Sequence, residues 1–350
     1  RARNGGIFSI DNVSVIEITE DTNLPRIDYT GGVGHWLFEP QSTNIITYSE
    51  DYSNSFYVKD SGVSVGTSDN SSPNINPTAT KIDVTNNGRI YANIATNTYY
   101  STVFIKSGTF SHFKFAGSNI DLIAETNSNG TIQSFGNGWY RIGIPYTGNR
   151  PFQVQAYPDG TYSNHTTSGN YFIWGTQSEV QSYATSYIPT SGSTVTRLQD
   201  AAFGAGSSDL INSTEGVLYA EIAALANDGT YRSISISDSS RTNIIEIDYT
   251  NDEKLRVLVK SANVSVFSVL FVLDITIYTK LAVKYKLNDF EVFINGIKEY
   301  TITNGAAPIG LSELAFDRGD GGTPFSGKVK SIAVFKEALT DAELTCLTTI

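Results

Sequence analysis

The stretch Asp289-Phe-Glu-Val-Phe-Ile-Asn-Gly-Ile-Lys-Glu-Tyr-Thr-Ile302 sets two runs of apolar, aromatic and β-branched residues on either side of Asn295-Gly296. Asn-Gly readily takes the positive φ angles of a two-residue turn, whose twist matches that of paired antiparallel strands. Residues 290–294 and 297–302 are therefore read as a hairpin. Working outward, strand-like runs occupy 215–222, 233–237, 243–249, 254–260, 264–273, 279–286 and 328–335. The one helix expected is the last element, Leu339-Thr-Asp-Ala-Glu-Leu344, with Thr340 as N-cap and Glu343 closing a capping box.

Upstream the pattern repeats with different residues. Short strands are read at 55–65, 78–84, 99–106, 110–115, 139–145, 152–156 and 169–177, separated by clusters of Asn, Gly and Ser. Residues 188–200 read as a linker between two modules. Residues 1–36 read as a last strand of an upstream domain, carried by Phe8-Ser-Ile-Asp-Asn-Val-Ser-Val-Ile-Glu-Ile18, followed by a Gly-rich connector. The expected fold class is all-β: tandem antiparallel β-sandwiches (jelly rolls) at 37–197 and 198–350, with one short C-terminal helix.

Composition agrees. The chain has 350 residues, 40% hydrophobic but only 17% charged, with 20 Tyr and 18 Phe. Its polar surface must come from Ser, Thr, Asn and Gly, as in secreted or virion proteins. The net charge of −11 and the lack of any Lys/Arg cluster argue against nucleic acid. No run is long and apolar enough for membrane insertion. A single cysteine, Cys346, rules out an internal disulfide. Methionine is absent, so the chain is read as a piece of a longer protein.

Leu37-Phe-Glu-Pro-Gln-Ser-Thr-Asn-Ile-Ile-Thr-Tyr-Ser-Glu-Asp51, Asn137-Gly-Trp-Tyr-Arg-Ile142, Phe172-Ile-Trp-Gly-Thr-Gln-Ser-Glu179 and Tyr183-Ala-Thr-Ser-Tyr-Ile-Pro-Thr190 resemble a carbohydrate-binding jelly-roll module of phage tail-fibre and marine bacterial surface proteins. Asp289-Phe-Glu-Val-Phe-Ile-Asn-Gly296, Phe325-Ser-Gly-Lys-Val-Lys-Ser-Ile-Ala-Val-Phe335 and Ala338-Leu-Thr-Asp-Ala-Glu-Leu344 resemble the laminin G-like, concanavalin A-like lectin/glucanase family. These resemblances imply the two folds and an extracellular or virion-surface setting. Such folds host lectins, enzymes and spacers alike.

The sharpest catalytic candidate is Glu246-Ile-Asp-Tyr-Thr-Asn251. Lectin-like glucanases place three acids on one strand, and period-two spacing brings them to one face. Here the third acid position holds Thr250, or Asn251, and neither can trade a proton. A non-catalytic reading follows. Three histidines far apart offer no zinc site. Asp317-Arg-Gly-Asp-Gly-Gly322 offers two carboxylates, Asp317 and Asp320, in a flexible loop, and is read either as a calcium site or as a plain turn. Trp36, Trp139 and Trp174 could stack on sugars, but the last two sit inside strand patterns, where aromatics belong to a core. The glycan contact is instead expected from the loop holding Tyr157, Asp159, Tyr162, Asn164 and His165. The expected function is recognition of a cell-surface or extracellular polysaccharide. The setting is a phage tail fibre or similar appendage, a homo-oligomer and a trimer if a fibre. The alternatives are an accessory region of a secreted polysaccharide-degrading enzyme and a structural spacer.

Overall fold

Asn295 and Gly296 both take positive φ, 50° and 84°, as the hairpin reading requires, and Phe290–Ile294 pairs with Ile297–Ile302 across them. The computed structural model describes residues 25–29, 32–68, 72–74, 79–202 and 206–350. The strand reading at 8–18 lies outside these residues. Among them, the regular secondary structure is antiparallel strand apart from the single helix Asp341–Thr348 at the C-terminal end. None of the described helical structure is long and apolar enough to cross a membrane.

The C-terminal half stacks a seven-stranded sheet on a five-stranded one. Alternation along each strand sends one set of side chains inward. Leu218, Ile234, Ile247, Val257, Val283 and Phe290 meet in that core. The opposite face of the seven-stranded sheet is capped by the helix, whose Leu344 packs on Val217, Tyr219, Ala282 and Phe293. Both halves of the expected capping box form: Thr340 accepts from the Glu343 amide, and Glu343 accepts from the Thr340 amide.

The N-terminal half packs two six-stranded sheets around a separate core, including Ile82, Val103, Phe113, Phe115, Ile142 and Phe152. Trp139 and Trp174 are 2% and 4% exposed. They lie in a satellite cluster with Phe104, with Tyr187 ring to ring against Trp174 at 4.6 Å.

Two boundaries differ from the sequence reading. Arg26–Asp28 and His35–Phe38, read as connector and start of the first module, are strands of the C-terminal sandwich. His35–Phe38 pairs with Gly327–Phe335, placing Trp36 opposite Val329 and Phe38 opposite Gly327. Phe38 is fully buried there, stacked on Phe316 at 4.5 Å. The segment 188–200 is likewise no free linker. Val195–Arg197 pairs with Ser42–Asn44, and Thr190 Oγ1 donates to the Ile46 carbonyl. Glu39 ties the two halves together, ion-paired to Arg26 at 2.5 Å and Arg197 at 3.0 Å.

Candidate functional site

The loop expected to meet glycan in the first sandwich is largely folded onto its own sheet. Tyr157 ends the strand Phe152–Tyr157 and is 3% exposed, contrary to the expectation of a free loop tyrosine. Its ring packs against Tyr162 at 5.6 Å and His165 at 5.8 Å, with Lys114 Nζ 5.3 Å from its centre. Burial raises its phenol above the ordinary pKa. His165 is fixed by Asn87 Oδ1, which accepts from its amide, and by a 2.9 Å contact of Nε2 with the Ala156 carbonyl. Asp159 accepts from the amide and hydroxyl of Thr161, closing an Asx turn. Tyr162 is half-buried and Asn164 exposed. The structure thus brings these residues together, but as a packed lid in which Tyr157 and His165 are committed to structural contacts.

A better-formed site lies on the outer face of the five-stranded sheet. Glu246 and Asp248 both belong to Ile244–Tyr249, two residues apart, so both face outward while Ile245 and Ile247 enter the core. The ladder sets Asp248 opposite Arg256 and Glu246 opposite Ser235. Arg256 donates from Nε and Nη2 to the two Asp248 oxygens at 2.9 and 2.7 Å. Arg241 donates from Nε and Nη2 to Glu246 Oε2 at 3.2 and 3.0 Å, and Ser233 Oγ donates to Oε1 at 3.0 Å. The Asp317–Thr323 loop folds over this face: the Asp317 carbonyl accepts from Ser235 Oγ, and Thr323 Oγ1 meets Ser233 Oγ at 2.8 Å. What stays open is a pocket of about 200 Å³ lined by those two pairs, Arg318, Thr323 and Tyr231. Tyr231 is 40% exposed, with its hydroxyl donating to Asn251 Oδ1.

Burial is the largest influence on Asp248. It outweighs the pull of Arg256, and Glu246 alongside adds to it, so the carboxyl is pushed up to about 6. At pH 7 it is mainly ionised and paired. Thr250, just past the end of the strand, takes the third position in the row, where an acid would be needed, and its hydroxyl donates to Asp252 in the turn. Asp317 and Asp320, read as a calcium pair, are both engaged. Asp317 Oδ1 accepts from the Gly319 amide, and Arg318 grips both Asp320 oxygens at 3.0 and 2.9 Å, which holds that carboxyl below its usual range. Among the described residues no three His, Cys, Asp or Glu gather as metal ligands. A calcium ion would take Asp320 only after Arg318 swung away.

Sequence reasoning weighed Glu246 and Asp248 only as a catalytic pair and set them aside, assigned neither to a binding site, and missed Arg241, Arg256 and Tyr231. Arg256 was within reach: it mirrors Asp248 across the turn at 250–254, and antiparallel pairing places mirrored residues side by side.

A family model for the concanavalin A-like lectin/glucanase superfamily covers residues 218–345. This segment has a lectin-like sandwich fold. The match takes in the pocket and leaves out the N-terminal sandwich and the strand His35–Phe38. No curated protein matches the chain. Among solved structures, the Ruminococcus gnavus IT-sialidase CBM40 bound to α2,3-sialyllactose is 15% identical, spanning 39% of this chain and 84% of that one, with a TM-score of 0.34. The leech intramolecular trans-sialidase with 2,7-anhydro-Neu5Ac is 18% identical over 40% of this chain and 24% of that one, also at 0.34. Domains LG4-5 of the mouse laminin α1 chain are 10% identical over 72% and 87%, at 0.27.

Proposed function

We propose that the chain recognises glycans without cleaving them, and that its lectin-like sandwich seats a neutral sugar unit in the Glu246/Asp248 pocket. The observation that carries this reading is the pairing of each carboxylate with its own arginine. A glycosidase needs one carboxyl free to hand over a proton and another free to attack or to activate water. Glu246 and Asp248 are instead fixed as acceptors, and the guanidinium groups around them as donors, a set suited to sugar hydroxyls. Arg241, Arg256 and Arg318 balance Glu246, Asp248 and Asp320, so the pocket has no net charge to reject a neutral ligand. Tyr231 at its rim offers a ring face to a pyranose.

Such single sites are weak, and useful adhesion comes from several copies acting together. This supports an extracellular or virion-surface appendage such as a tail fibre, trimeric in that setting. The test is a glycan array on the purified chain, with Tyr231→Ala as control. Binding to neutral glycans that Tyr231→Ala lowers at least tenfold, without a change in melting temperature, supports the reading. Release of reducing ends from laminarin, agar or alginate sinks it.

A further inference from the structure

We propose that the cleft between the two sandwiches is a second binding site, and that it takes an acidic oligosaccharide. The cleft encloses about 990 Å³ and shares no lining residue with the pocket above. Its floor is the outer face of the sheet that carries Asn97–Ser107, Trp139–Gly148 and Thr131–Ser134. The ladders set Phe104 opposite Arg141 and Arg141 opposite Gln133, with Thr102, Gly143 and Thr131 in the next row. Residues two apart on each strand share a face, so both rows point into the cleft. Gly143 keeps this floor low. A Cβ there would lie 2.6 Å from Thr131 Oγ1 and 2.8 Å from Tyr100 Cε1. The opposite wall belongs to the C-terminal sandwich and includes Tyr29 and Lys328.

Charge selects the ligand. Among the described residues, three cations, Arg26, Arg141 and Lys328, line the cleft against two carboxylates, Asp28 and Glu39, leaving one positive charge in a chain whose net charge is −11. Arg26 and Glu39 belong to a balanced network with Asp200 and Arg197, two cations against two carboxylates. Arg141 and Lys328 have no carboxylate within ion-pair distance among the described residues. Arg141 feels Glu39 and Glu179 only at longer range. Its Nη2 donates to the Thr185 carbonyl at 2.6 Å and to Thr102 Oγ1 at 3.2 Å, while its Nε is buried without a partner. An arginine supplied only with neutral acceptors, facing a lysine across an open cleft, is a receptor for an anion. The ring faces make that anion a sugar acid. Phe135, 44% exposed, stands edge to face on Phe104 at 5.0 Å, and Tyr29 is exposed opposite. Both can meet a pyranose, while Gln133 and Thr131 offer hydrogen bonds to its hydroxyls.

The test is calorimetric titration of the full chain with hexagalacturonate, maltohexaose and hexaglutamate. Hexagalacturonate should bind, more weakly at 300 mM than at 50 mM salt because the cleft is open to screening. Maltohexaose should bind at least tenfold more weakly, and hexaglutamate should not compete. Lys328→Gln should weaken binding threefold to tenfold and Phe135→Ala about tenfold, both with the melting temperature of the parent chain. Absent binding of hexagalacturonate, equal binding of maltohexaose, equal competition by hexaglutamate, or full affinity in both variants would each overturn the proposal. These outcomes are separable from failure of the neutral-sugar pocket, which is read with Tyr231→Ala and neutral glycans.

Discussion

Phe38→Ala tests whether the C-terminal sandwich depends on a strand from the far end of the chain. The Phe38 ring is fully buried in the C-terminal core, stacked on Phe316 at 4.5 Å and edge-on to Phe325 at 5.9 Å, both more than 270 positions away. Truncating a buried Phe to Ala costs about 3–5 kcal/mol, counting both the lost transfer term and the cavity. Taking about 4 kcal/mol, and about 2–4 °C per kcal/mol for a sandwich of roughly 150 residues, the C-terminal unfolding transition should fall by about 8–16 °C. The N-terminal transition should barely move, because its core is separate. Fluorescence distinguishes the two. Trp139 and Trp174 report the N-terminal sandwich, and Trp36, in the docked strand, reports the other. Hydrogen exchange adds a local readout, with amides of Gly327–Phe335 losing protection along the edge that His35–Phe38 covers. A C-terminal transition that shifts by less than 2 °C, or a loss confined to the N-terminal one, would refute the assignment of this strand.

Two further outcomes are expected. Asp248 has an ordinary pKa of 3.8 and is pushed up to about 6 in the folded chain, so between those values the native state binds more protons than the unfolded one and stability falls as pH rises. Asp248→Asn should remove a slope worth about 3 kcal/mol, and urea midpoints of parent and variant at pH 4 and pH 7 that differ equally would reject this. Tyr157→Ala should cost about 3 kcal/mol, as for a buried ring, and Trp139→Ala about 3–5 kcal/mol. Tyr162→Ala should cost clearly less, and a Tyr157→Ala variant as stable as the parent chain would show that the lid does not pack as described.

The all-β class and most strands were legible because they rest on local patterns. The Asn295-Gly296 turn, the apolar runs within Glu215–Ala224 and Thr279–Lys286, and the Thr340/Glu343 box each need only neighbouring residues. Arg26–Asp28 and His35–Phe38 were not legible, since three or four residues carry too little alternation to name a partner. Their place is fixed by a ladder to Gly327–Phe335, some 290 residues on. Tyr157 was misread for a related reason. It follows the inward set Phe152, Val154 and Ala156 and so points outward, and outward means exposed only when nothing folds back over the sheet. Residues 158–165 do fold back, and no local pattern announces it.

The same logic governs where ligand chemistry can be sought. Glu246 and Asp248 could be found because they share one strand, and Arg256 because one tight turn sets its register. The cleft joins Arg141 to Lys328 only through the docking of two sandwiches. That docking depends on Phe38 in one core and on Glu39, the next residue, between Arg26 and Arg197. Strand addition and cleft formation are thus one structural event. If Phe38→Ala loosens the strand, hexagalacturonate binding should weaken together with the C-terminal transition, whereas the Glu246/Asp248 pocket, built within one sheet and its covering loop, should keep its ligand at temperatures below that transition.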